Sequence, residues 1–194
     1  MINANHKEII LSCGSKIQIF DNLFSWQERE YFFQFVAGSL YTTQNGASTA
    51  TTESFSKQVI FQSHYDKNDD KNFNLLYSPN ITSHLKTLGF PTRSWANVTL
   101  PGCWIHQHSD ASTRQYDGQI TLMYFASFKW EKHFGGDTIF CNSHTGEKER
   151  VVEYVPGRLV LFDSCIPHIT TLTIGQALPR YTYVCIFAKE QDEQ

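Results

Sequence analysis

From about residue 95 onward, the chain is a succession of short apolar or alternating segments separated by turn residues. They read WANVTL, CWIHQH, QITLMYFASF, DTIFCN, RVVEYV, RLVLFD, HITTLT and RYTYVCIFA. Pro101-Gly102, Asp117-Gly118, Gly135-Gly136 and Pro156-Gly157 punctuate them. Glycine reaches backbone angles that side chains exclude, and proline presets a turn, so such pairs end strands. Many short strands with regular turns make a sandwich or a barrel. The aromatic load agrees: 15 Phe, 9 Tyr and 4 Trp supply rings that pack well on pleated surfaces. The expected fold is mainly β with flanking helices.

The first half differs in kind. KIQIF (16–20) alternates as a strand does. Ser25 and Glu28 have capping-box spacing. Trp26, Phe33, Val36 and Leu40 then recur at helical intervals, predicting a helix over about 26–40. Residues 41–57 are polar and read as a loop or weak edge strands, and QVIFQS (58–63) reads as a strand. HYDKNDDKN (64–72) is a solvated turn whose aspartates lack the Gly and terminal Glu of a calcium loop. A second helix is expected over about 80–88, ending at Gly89 with Pro91 beyond. No repeat or linker divides the 194 residues. The expectation is one domain, with N-terminal helical support over about 1–94 and a β core over about 95–189.

The formal net charge is -3 with no basic run, which argues against a protein that grips many phosphates. Cys13, Cys103, Cys141, Cys165 and Cys185 are odd in number, and no two have C-x-x-C spacing. They read as reduced thiols of a cytoplasmic protein. The N-terminal residues do not have the pattern of a signal peptide, and no stretch is long enough to span a membrane.

Chemistry concentrates in HQHSD (106–110). Residues two apart on a strand point to one side, so His108 and Asp110 can bite one cation. Alone, the pair reads more readily as a polar surface loop. A third donor, His168, follows a tight proline turn in LFDSCIPHITT. Two histidines and one carboxylate form the facial triad of non-haem Fe(II) sites, which leaves open coordination positions.

The order of motifs resembles the Fe(II)/2-oxoglutarate-dependent dioxygenases, in particular the small prolyl-hydroxylase-like branch. It runs His108-Ser109-Asp110, ITLMYFASFKW, FGGDTIF (134–140), VPGRLVLFD (155–163), Pro167-His168 and Arg180. The resemblance covers about residues 95–189 and reaches loosely back to FDNLFSWQERE. It implies a double-stranded β-helix, a jelly-roll cousin of the cupins. It also implies Fe(II) on His108, Asp110 and His168, 2-oxoglutarate and O2 as cosubstrates, and ascorbate as reductant. The distal carboxylate of 2-oxoglutarate would fall to Arg180, where many prolyl hydroxylases have Lys. A guanidinium matches a carboxylate with two parallel hydrogen bonds. Thr182, two residues on, shares its face. Relatives also place an Asn at the spacing of Asn97 and a Tyr at Tyr124.

His106 has the strand parity of His108 and is expected either to support the metal ligands from behind or to face the substrate. Arg114, Tyr116, Trp130 and Trp104 are expected to rim the mouth. His64, His84, His133 and His144 read as surface residues. The implied reaction is hydroxylation of a C–H bond in an amino acid, a peptidyl proline or a small molecule. Asp110 keeps the carboxylate that a halogenase variant lacks. Two alternatives stand: a nucleic-acid demethylase on the same scaffold, which the acidic charge disfavours, and a cupin-type metal module, which has no need of Arg180 and Thr182.

Overall fold

The computed structural model describes residues 5–44, 60–65, 88–111, 118–174 and 178–188. Among the described residues, twelve strands, one α-helix and a short 3-10 helix, Lys132–Phe134, make up the regular structure. In order these are β1 (Asn5–Ile10), β2 (Lys16–Asp21), α1 (Trp26–Ala37), β3 (Thr42–Gln44), β4 (Ile60–Tyr65), β5 (Phe90–Thr99) and β6 (Ile105–His108). Then come β7 (Ile120–Phe125), β8 (Thr138–Cys141), β9 (Lys148–Val152), β10 (Leu159–Asp163), β11 (His168–Thr170) and β12 (Arg180–Ala188). The expected helix over 80–88 lies almost wholly outside the described residues.

The strands form two antiparallel sheets. The larger runs β1-β2-β10-β7-β12-β5-β4-β3 and the smaller β6-β11-β8-β9. This is the mainly-β arrangement that the segment pattern predicts, and the double-stranded β-helix that the resemblance implies. The N-terminal region contributes to it directly, because β2 pairs along β10 from Phe20↔Leu159 to Ile17↔Phe162.

The central strands of the larger sheet are buried on both faces. Toward α1 lie Leu122 and Tyr124 of β7 and Tyr183, Cys185 and Phe187 of β12, packed with Phe24, Phe32 and Val36. Toward the smaller sheet lie Met123 and Phe125, Val184 and Ile186, and Trp95 of β5, packed with Phe140 and Phe162. Each such side chain contributes about 1.5–3 kcal/mol on leaving water. The pleat therefore sends Arg180 and Thr182 into the space between the sheets, with Val184 and Ile186. Asn97 and Thr99 follow Trp95 to the same side.

Helix α1 starts as its sequence predicts. Ser25 accepts a hydrogen bond from the Glu28 amide and Glu28 reaches back to the Ser25 amide. It ends three residues earlier than the apolar spacing suggests, because Gly38 caps it, and Leu40 is 90% exposed. All five cysteines are thiols. Among the described residues, no helix is long and apolar enough to cross a membrane.

Candidate metal centre and cosubstrate pocket

His108 and His168 are cross-strand neighbours, paired in register between β6 and β11. Their ring centroids lie 4.4 Å apart. Asp110 follows β6, and a hook onto the end of β10 fixes it: the Asp110 and Ala111 amides donate to the Ser164 carbonyl at 3.0 and 3.1 Å. The Thr121 hydroxyl donates to Asp110 Oδ2 at 3.0 Å. Thr121 Oγ1 also lies 2.9 Å from Ser164 Oγ. Thr121 has one proton, so with that proton on the carboxylate it accepts from Ser164.

Both imidazoles aim Nε2 at this carboxylate. His108 Nε2 lies 3.9 Å from Oδ1, and His168 Nε2 lies 3.9 Å from Oδ2. One ligand atom from each of the three residues falls within 4.8 Å of the others. The other ring nitrogens are anchored on backbone carbonyls two residues back, His108 Nδ1 on His106 at 2.8 Å and His168 Nδ1 on Ile166 at 3.1 Å. A carbonyl only accepts, so this bonding assigns the proton to Nδ1 and leaves the Nε2 lone pair facing inward. Burial, followed by the neighbouring His108, pushes the His168 pKa down to about 4. His168 is thus a neutral imidazole at neutral pH, the form that binds a cation.

Arg180 opens β12 and is 1% exposed. Its Nε donates to the Gly136 carbonyl at 2.7 Å and its Nη2 to Thr138 Oγ1 at 3.4 Å. The guanidinium carbon sits 4.6 Å from the Tyr154 ring centroid and 5.5 Å from that of Phe125. Among the described residues, no carboxylate lies within ion-pair distance of it. Burial draws its pKa down to about 10, which leaves it charged at neutral pH. Gly136 has φ +76°, and a Cβ there would lie 2.9 Å from Arg180 Cδ, so only glycine admits the arginine. Thr99, opposite Arg180 in register, has a fully buried hydroxyl without a hydrogen-bond partner, and Trp95 Nε1 is likewise unpartnered. Buried polar groups are nearly always satisfied, so these two are exceptions on the inward face.

No family model matches the sequence, and a search of curated proteins gives no match. Solved structures do match. A prolyl hydroxylase from Trichoplax adhaerens, in complex with a hypoxia inducible factor peptide fragment, has a TM-score of 0.65 at 16% identity, covering 90% of this chain and 84% of that one. A 2OG-Fe(II) oxygenase family oxidoreductase from Burkholderia pseudomallei gives 0.67 at 15%, covering 89% and 84%. HygX from Streptomyces hygroscopicus, with nickel and 2-oxoglutarate bound, gives 0.62 at 10%, covering 90% and 83%. The fold is that of the 2-oxoglutarate–Fe(II) oxygenases.

Within this oxygenase fold the expected residues separate. His108, Asp110 and His168 converge. Arg180, Thr182 and Asn97 share the inward face, with Thr182 opposite Asn97 in register. Tyr124, expected at the cosubstrate, does not join them. It points to the opposite face of β7, where its ring meets Phe24 and Phe32 beneath α1. The aromatic ring beside Arg180 belongs to Tyr154 instead, whose hydroxyl bonds Ser127 and the Tyr181 carbonyl.

His106 does not keep simple strand parity with His108. A bulge sets Ile105, not His106, opposite Thr170 while His108 stays opposite His168. The His106 ring meets Trp104 edge-on at 5.8 Å, and the residue serves His108 through its carbonyl. Trp130 packs on Tyr154 at 4.8 Å and donates to the Gly135 carbonyl at 2.9 Å, so it braces the Gly-Gly turn behind Arg180. Arg114 and Tyr116 lie outside the described residues. Sequence reasoning missed Thr121, Ser164 and Arg93. Thr121 alone carried a signal, as a polar residue opening an apolar strand. Arg93 donates from Nη2 to the Asp110 carbonyl.

Proposed function

We propose that this chain is an Fe(II)- and 2-oxoglutarate-dependent oxygenase that hydroxylates a C–H bond of an amino acid, a prolyl-type peptide or a related small molecule. One observation carries the reading. A buried, acid-free arginine shares the inter-sheet face with a His-Asp-His cluster. A buried guanidinium without an anion costs several kcal/mol, and a dicarboxylate cosubstrate removes that cost.

The donor set fits the metal. Two neutral imidazoles and one carboxylate suit Fe(II) and leave positions open for cosubstrate. His108, Asp110 and His168 would hold it. Iron with bound 2-oxoglutarate supplies O2 activation coupled to oxidative decarboxylation, yielding succinate and CO2. The chain's residues do the rest. Thr121 and Ser164 fix the plane of the Asp110 carboxylate, and the two backbone carbonyls fix the imidazoles. Arg180 would take the distal carboxylate, with the Thr99 and Thr182 hydroxyls and Asn97 as neighbouring polar groups. The layered aromatics Phe125, Phe140 and Phe162 exclude water.

The hypoxia-inducible-factor peptide on the Trichoplax neighbour and the acidic charge of this chain favour hydroxylation over base demethylation. The test is comparative turnover with Fe(II), 2-oxoglutarate and ascorbate. We expect succinate release coupled to a +16 Da product from amino acids, peptides or small molecules. Release coupled only to formaldehyde from methylated oligonucleotides would replace this reading with the demethylase.

A further inference from the structure

Arg93 stands at the outer end of the inward face of β5, two residues before Trp95. It is opposite Ile186 of β12, which is in turn opposite Thr121 of β7. Asp110 is therefore held by both flanks of one row: Thr121 bonds its carboxylate and Arg93 its backbone carbonyl. The Arg93 guanidinium also lies over the Trp95 ring, 5.0 Å from the centroid. Stacking and the carbonyl bond together fix its plane. Arg93 is nonetheless exposed and has no carboxylate partner among the described residues.

A guanidinium offers two edges, each with two parallel N–H donors. One Nη2 hydrogen on the Asp110 carbonyl occupies one edge and leaves the other open. On the same face, the Trp95 ring is 7% exposed and is the platform under the guanidinium. Charge balance points the same way. A divalent metal, the Asp110 carboxylate, a 2-oxoglutarate dianion and Arg180 together come to neutrality. Arg93 then adds one uncompensated positive charge beside the metal ligands. We infer that Arg93 and Trp95 form a carboxylate-binding subsite for the primary substrate, so that the molecule oxidised is itself an organic acid held by its carboxylate. The inference rests on the proposed reading of the metal cluster and narrows its substrate class.

The test uses a matched pair of probes, propionate and propionamide, on the full chain loaded with Mn(II) and saturating 2-oxoglutarate. Paramagnetic relaxation of the probe methyl protons reports seating near the metal. Propionate should be relaxed saturably and at least tenfold more effectively than propionamide. Arg93→Gln, compared at Mn(II) and 2-oxoglutarate concentrations that saturate the variant, should abolish that preference. Arg93→Lys should retain part of it, because it keeps the charge and loses the fork. Equal relaxation by the two probes in the wild type would overturn the subsite. So would a preference that survives in Arg93→Gln, which would mean the carboxylate sits on the metal. Loss of Mn(II) from both Arg93 variants would make Arg93 only a brace for the Asp110 turn and would overturn it too. A wild-type chain that binds neither Mn(II) nor 2-oxoglutarate would bring down the metal reading itself, and this inference with it.

Discussion

His168 is 2% exposed, and burial sets its folded pKa at about 4, against about 6.5 for a free imidazole. Between those values the unfolded chain binds a proton that the folded chain excludes. Stability of the metal-free protein therefore rises with pH across this window. It is fully present above about pH 6.5 and falls by on the order of 3 kcal/mol by pH 4. Denaturant unfolding of the metal-free chain at pH 7, 5.5 and 4 checks this, and His168→Asn should flatten the profile. Thr121→Val removes the hydroxyl that orients Asp110 and keeps the side-chain shape. Losing such an outer partner should weaken metal binding about 10–100-fold, while Asp110→Ala should lose most of the iron in anaerobic reconstitution. Full retention in either variant would separate that residue from the site. At the other end of the inward face, Arg180→Ala should weaken 2-oxoglutarate binding by roughly 2–5 kcal/mol, measured by calorimetry on Mn(II)-loaded protein.

The turn between the 3-10 turn Lys132–Phe134 and β8 is the element on which Arg180 depends. Gly136→Ala meets both a positive φ and the wedged Arg180 side chain. The expected cost is about 1–3 kcal/mol of stability, with a parallel loss of 2-oxoglutarate affinity; an unchanged melting temperature would contradict it. Elements also explain what was legible beforehand. Arg180 stood out because one charge opens an otherwise apolar strand. The α1 start was legible because the capping box is local. Tyr124 was misplaced because β7 is covered on both sides, by α1 and by the second sheet, and an apolar run buried on both faces carries no sign of which parity faces the site. Strand parity did not decide between the two places expected for His106, because a bulge shifts parity by one residue. Arg93 and Ser164 were silent because their roles arise only where chain ends from different strands meet.

At the scale of the molecule, the site draws on both sheets. His108 and His168 come from the smaller sheet, while Thr121, Thr182, Arg180 and Arg93 come from the larger. Ligands that bind only the folded state stabilise it by mass action, about 2.7 kcal/mol at a hundredfold excess over Kd. Mn(II) with 2-oxoglutarate should thus raise the melting temperature by about 5–10 °C for a chain of this size, and Asp110→Ala should show almost no shift. The smaller sheet is the weaker partner. Its strands β6 and β11 have four and three residues, and β6 is one of its two edge strands. Short strands open locally at low cost, so an empty site leaves this sheet breathing against a stiffer wall. A guest that bridges the walls acts as a rivet. Amide protons of β11 and of β7 should then slow their exchange with deuterated water together on loading, although no backbone hydrogen bond joins those two strands.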